Sequence, residues 1–179
     1  MGQDRERVVR DRRETDLAPL AALLAEQQPA SGYPFRWPLP FPVEDFLVRE
    51  SEERAWVGEL DGVVVGHVAV GRVPDDGLGE LFRRATGCPD PALVSALVVA
   101  VAARGRGVAG ALLDIAVGWA RAQDRVPVLD VLPTNADAAA VYRHRGWREI
   151  GRTRFEWQPP DVPDALLMAL PPSEPAPGG

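Results

Sequence analysis

Apolar residues recur along the chain in two rhythms, every second position and every third to fourth, and the switches between them outline strands and helices. The stretch RVVRD at 7–11, with its β-branched pair, reads as a short strand. Leu17, Leu20 and Leu24 then fall at helical spacing, with Thr15 or Asp16 as N-cap and Pro19 in the first turn, which predicts an amphipathic helix to about Gln28. From 29 to 42 prolines interleave with Tyr33, Phe35, Trp37 and Phe41, a pattern that excludes a regular element because proline removes backbone donors. An extended aromatic loop is expected there. VEDFLVRESEE (43–53) reads as a second helix, and residues 54–71 as two strands turning at Asp61-Gly62.

Downstream, VPDDG marks a turn and LGELFRRATG a short helix closed by Gly87. ALVSALVVAV (92–101) has the unbroken, β-branched character of a buried strand. Val108, Leu112, Ile115 and Trp119 then define one helix face, VPVLDVL (126–132) another strand, and NADAAAVYRHR (135–145) a helix ended by Gly146. WREIGRTRFEW and DALLMAL read as a closing strand pair. The last residues, PPSEPAPGG, have the composition of a flexible tail, so a single domain over 1–170 followed by a tail at 171–179 is expected.

With 179 residues, 46% of them hydrophobic, the chain is long enough for one well-buried core. A net charge of -6 argues against a general nucleic-acid binder, which needs a basic surface. The single cysteine, Cys88, rules out an internal disulfide, and no Cys/His spacing suits a metal. The charged start MGQDRERVVRDRRETD has no signal-like apolar segment, and no run reaches the roughly 20 apolar residues of a membrane helix. A cytoplasmic protein without membrane association is the expectation.

The segment AARGRGVAGALLD (102–114) places glycines and arginines between the buried strand and the mouth of a helix. Unpaired N–H groups converge at such a junction, and the helix dipole adds to their field. Gly105 and Gly107 let the backbone curl, while Arg104 and Arg106 supply positive charge suited to a diphosphate. The stretch lacks the Gly-Lys-Ser/Thr ending of a P-loop and does not fit the dinucleotide pattern. Further on, Asn135 and Tyr142 lie seven residues apart on one helix face, with small Ala138 and Ala139 between them that leave room for a slender ligand.

LVVAVAARGRGVAGALL resembles the acyl-CoA signature of the GNAT N-acetyltransferases, Arg/Gln-x-x-Gly-x-Gly/Ala, through Arg104, Gly107 and Ala109. NADAAAVYRHRGW resembles that family's next motif through Asn135, Tyr142, Gly146 and Trp147. The resemblance implies an α/β (α+β) fold with a mixed, mostly antiparallel sheet of about seven strands and helices on both faces. It implies acetyl-CoA as cofactor, held by the backbone of Leu97, Val98 and Val99, by the loop Arg104, Gly105, Arg106, Gly107, Val108 and Ala109, and by Asn135. It further implies direct acetyl transfer to a primary amine of a small molecule or peptide, with the N–H near Val99 facing the thioester oxygen and Tyr142 as general acid.

ALVSALVVAV carries no carboxylate, a departure from many members, so the base is open between water on Ser95, an acid elsewhere such as Glu59 or Glu80, and none at all. Tyr33, Phe35 and Trp37 are expected to wall the acceptor groove, the alternative being that this loop covers the core edge. The acids at 44, 45, 52 and 53 either attract a cationic amine or form a solvated helix face. His67, His144 and Cys88 are expected to take no direct part. A non-catalytic acyl-CoA sensor of the same fold is the alternative function, and a monomer or homodimer the expected state.

Overall fold

The computed structural model describes residues 6–134 and 136–172. Seven strands form a single sheet in the order β1-β2-β3-β4-β5-β7-β6. These are β1 (Arg7–Asp11), β2 (Glu52–Leu60), β3 (Val63–Arg72), β4 (Ala92–Val99), β5 (Pro127–Val131), β6 (Arg148–Thr153) and β7 (Ala165–Ala169). Every neighbouring pair is antiparallel except β4–β5. On one face α4 (Val108–Ala122) and α5 (Ala136–His144) cover the sheet, with Leu112, Leu113 and Ala116 packed on Trp56, Val68, Val70, Leu129 and Met168. On the other, α1 (Leu17–Ser31) and α2 (Val43–Leu47) bring Leu20, Leu24 and Leu47 onto Val57 and Val98, and α3 (Gly77–Thr86) buries Phe82 against Leu93, Val128 and Leu167.

Two predicted helix ends move. α1 runs past Pro29 to Ser31 because Gly32, at φ 66°, supplies the left-handed cap whose N–H bonds the Gln28 carbonyl. The helix expected over 43–53 stops at Leu47, and Glu52 and Glu53 open β2 instead. Both acids are neutralised by distant arginines: Glu52 by Arg12 at 2.5 Å and Glu53 by Arg125 at 2.5 Å. The acidic quartet is therefore neither one helix face nor a free attractant.

Arg125, two residues before β5, is buried and ties β2, β3 and the segment entering β4 together at one end of the sheet. It donates to the carbonyls of Asp90 (3.0 Å), Pro91 (3.1 Å) and Gly71 (3.3 Å) as well as to Glu53. Beside this pin β4 and β5 pair only at Ala92–Pro127 and Leu93–Val128, then part.

A bulge in β4 controls what the parted strands present. Ala92 donates its N–H across to Val126 (2.9 Å), so even-numbered residues face β5 at the start of the strand. The register with β3 slips between His67 and Ala69, where Ala96 sits at φ +48°. Beyond it Ala100 donates to Val65 on β3 (2.7 Å), so the odd residues Leu97 and Val99 now turn their N–H and C=O toward β5. Side chains switch in step: Ala92 and Val94 join the α4 core before the bulge, Leu97 and Val99 after it.

Candidate active site

The gap between β4 and β5 is the candidate site, open where the pairing ends. At its far end lies the glycine loop. Gly105 (φ 75°) and Gly107 (φ 73°) both adopt the left-handed conformation that other residues resist, and Gly107 is the N-cap of the 15-residue α4. Arg104, Gly105 and Arg106 are exposed, so the loop offers backbone amides, two guanidinium groups and a helix N-terminus to an anion. Ala109 is exposed on the first turn of α4, whereas the Val108 side chain is buried and holds the helix on the sheet. Val98 pairs with His67 and packs toward α1, so its backbone serves the sheet and not the gap. Asn135 lies outside the described residues.

Tyr142 comes from α5 on the α4 side, stacked edge-on against the buried Trp147 with ring centroids 5.7 Å apart. Burial raises its pKa above the ordinary phenol value, and Tyr33 and Asp130 push the same way, so the phenol keeps its proton at neutral pH.

Asp130 is the functional candidate that the sequence reading passed over. It is the lone charge in β5, and strand alternation puts it on the face of Val128, opposite Leu129 and Val131, hence on the side of α1–α3. The residue is exposed at the surface, and desolvation by the protein around its carboxylate raises its pKa above the usual carboxylate range, against a smaller lowering by Arg49. Of the other acids considered, Glu59 is committed to Arg10 (2.6 Å) and Glu80 is exposed on α3. Ser95 is half-buried on β4. His67 is fully buried, with no accessible surface, and His144 is exposed.

The aromatic loop packs against α2 through one of its three candidate residues. Tyr33 packs edge-on against Phe46 of α2 (5.7 Å), and its pKa is pushed up to about 12 by burial. Phe35 is exposed and Trp37 half-buried. The final strand pair is shorter than predicted: β6 ends at Thr153, and Phe155 and Trp157 stack in parallel (5.3 Å) in the following loop. Arg36 lies 5.8 Å over the Trp157 ring and so joins the two loops.

Residues 20–147 match the acetyltransferase (GNAT) family, and the chain belongs to that family. Solved structures share the fold. The ribosomal-protein-S18-alanine N-acetyltransferase of Escherichia coli is 21% identical, with 93% of this chain and 94% of that one covered and a TM-score of 0.64. YncA of Salmonella typhimurium, solved with its cofactor acetyl-CoA, is 17% identical over 95% and 96%, at 0.68. NAA60 of Arabidopsis thaliana in complex with acetyl-CoA is 20% identical over 92% and 98%, at 0.66. No curated protein matches the chain by sequence. The parted strands, the left-handed glycines and the exposed loop amides fit acetyl-CoA, the cofactor of this family: an extended arm for the gap and a diphosphate for the helix mouth.

Proposed function

We propose that this protein is an N-acetyltransferase that moves the acetyl group of acetyl-CoA to a primary amine of a small molecule or peptide by direct attack within a ternary complex. The observation that carries the reading is the placement of two proton-handling groups, Asp130 and Tyr142, on opposite faces of one gap whose backbone amides are exposed by the β4 bulge. The domain spans 1–170 and works in the cytoplasm, as a lone half-buried cysteine suits.

Bound acetyl-CoA supplies an activated acyl group as a thioester. The loop Arg104–Ala109 anchors its phosphates, Asn135 adds a further contact to the cofactor, and Leu97 and Val99 pair with its arm as a neighbouring strand would. Asp130 takes a proton from the amine arriving on the α1–α2 side, directly or through one water. The Val99 N–H stabilises the negative charge that grows on the carbonyl oxygen. Tyr142 hands its proton to the departing sulfur and is reset from solvent.

Acetyl-CoA at 100 times its dissociation constant adds about 2.7 kcal/mol to stability, a rise of roughly 5 to 10 °C in Tm. Gly107→Val abolishes that rise, since valine resists φ +73° and its Cβ meets the Arg7 guanidinium. A screen of amines and peptides with mass detection of CoA and acetylated product completes the test. A thermal shift with no product from any amine assigns the sensor role, and no shift at millimolar acetyl-CoA sinks both readings.

Trp37→Ala raises the acceptor KM by roughly tenfold and leaves acetyl-CoA affinity unchanged, because the aromatic loop touches only the acceptor end. Equal loss of both, with a lower Tm, assigns the loop to covering the core.

A further inference from the structure

We propose that His67 is a positioning residue of the acetyl-transfer site, donating its Nδ1–H to the Ala96 carbonyl and thereby holding the β4 bulge that aims Leu97 and Val99 into the gap; the proposal rests on the acetyltransferase reading. The imidazole of His67 has no accessible surface, and both its nitrogens are engaged. Nδ1 lies 2.9 Å from the Ala96 oxygen and Nε2 3.1 Å from Nη1 of Arg12. A guanidinium only donates, so Nε2 must be the bare acceptor and Nδ1 the protonated donor. Arg12 is itself fixed, by Glu52 at 2.5 Å and by the Leu47 carbonyl at 3.2 Å. The chain Glu52–Arg12–His67–Ala96 thus runs from β2 and the residue that follows β1 through β3 to the irregular point of β4.

Ala96 needs such a tether. An L residue at φ +48° is strained, and nothing in the apolar stretch ALVSALVVAV favours that conformation locally. His67 faces Val98 in the ladder, so its ring reaches along β4 over the extra residue. Released from His67, the Ala96 carbonyl loses a buried partner and the bulge loses its clamp. A relaxed strand would return Leu97 and Val99 to β3, withdrawing their amides from the gap. Burial lowers the imidazole pKa to about 4, so the ring remains neutral and keeps its single tautomer at neutral pH.

Two substitutions separate the two nitrogens. The amide of an asparagine reaches about as far as Nδ1, that of a glutamine as far as Nε2. His67→Asn keeps the donor to Ala96, so it retains CoA affinity within about twofold by calorimetry while Tm falls from the lost Arg12 contact. His67→Gln keeps the Arg12 contact and loses roughly tenfold in CoA affinity, the scale of one buried hydrogen bond. Its kcat falls as well, at temperatures where it is fully folded. Equal CoA affinity in the two variants overturns the proposal.

The wild-type protein gives a second measurement that needs no folded variant. Imidazole 15N shifts must show Nδ1 protonated and Nε2 bare, and a proton on Nε2 overturns the assignment. The same calorimetry tests the underlying reading separately, because a wild type that takes up no CoA refutes the acetyltransferase and not the tether.

Discussion

Tyr142→Phe lowers the single-turnover rate of acetyl transfer by roughly 10²- to 10⁴-fold while leaving CoA affinity intact. The ring and its edge-on contact with Trp147 survive the change, and only the proton is removed. Burial that raises the phenol pKa also penalises a bare thiolate in the same gap, so the proton transfer from Tyr142 relieves a charge that the site cannot solvate. The loss therefore shrinks with acyl donors built on more acidic thiols, which depart with less help. Multiple-turnover rates can mask the effect behind product release, which is why single turnovers are the measurement. A Tyr142→Phe variant whose chemical step runs at wild-type speed removes Tyr142 from the mechanism.

Asp130→Asn abolishes the same step to a similar degree, roughly 10²- to 10⁴-fold, and at the same time stabilises the fold at neutral pH. The two effects share one cause. Enclosure raises the Asp130 pKa, so the native state favours the protonated acid and ionisation above that pKa costs stability. Its favourable contribution is complete below the unfolded value of 3.8 and is lost as pH rises through the folded pKa. Asparagine never ionises, so the Tm of the variant exceeds that of the wild type at pH 7, and the difference narrows as pH falls and disappears below 3.8. In the wild type kcat/KM falls on the acid side as the base is protonated, and that limb vanishes in the variant. Unchanged activity in Asp130→Asn with a good amine acceptor would return the base to water. A lower Tm at neutral pH would show that the carboxylate is not penalised by its surroundings.

Much of the architecture was legible because strand and helix periods are written locally. The left-handed Gly105 and Gly107 were legible for the same reason: few residues tolerate that backbone, so glycine there carries information about shape. What escaped depended on residues distant in sequence. Glu52 and Glu53 continued a helical charge pattern, and it is Arg12 and Arg125, one far before them in sequence and one far after, that pair with them in β2. WREIGRTRFEW kept its alternation past Thr153, yet Phe155 and Trp157 leave the sheet to stack on each other.

Asp130 was visible as the one charge inside VPVLDVL, a signal in its own right, but its position beside a gap depends on β4 parting from β5. That divergence accompanies a bulge at an alanine, the residue least able to announce it. The part His67 plays is hidden for a related reason, since a lone histidine in a strand shows neither its burial nor the carbonyl it holds.

The two-residue seam between β4 and β5 makes the sheet a pair of leaves hung on one hinge, four strands on one leaf and three on the other. Arg125 is the hinge pin, and α4 spans the joint from behind through its contacts with Trp56 and Val68 on one leaf and Leu129 and Met168 on the other. An extended ligand lying in the seam acts as mortar, adding backbone pairing where the protein has none of its own. Amide exchange along the free edges of β4 and β5 thus becomes a gauge of occupancy, fast while the leaves stand apart and slow once they are joined.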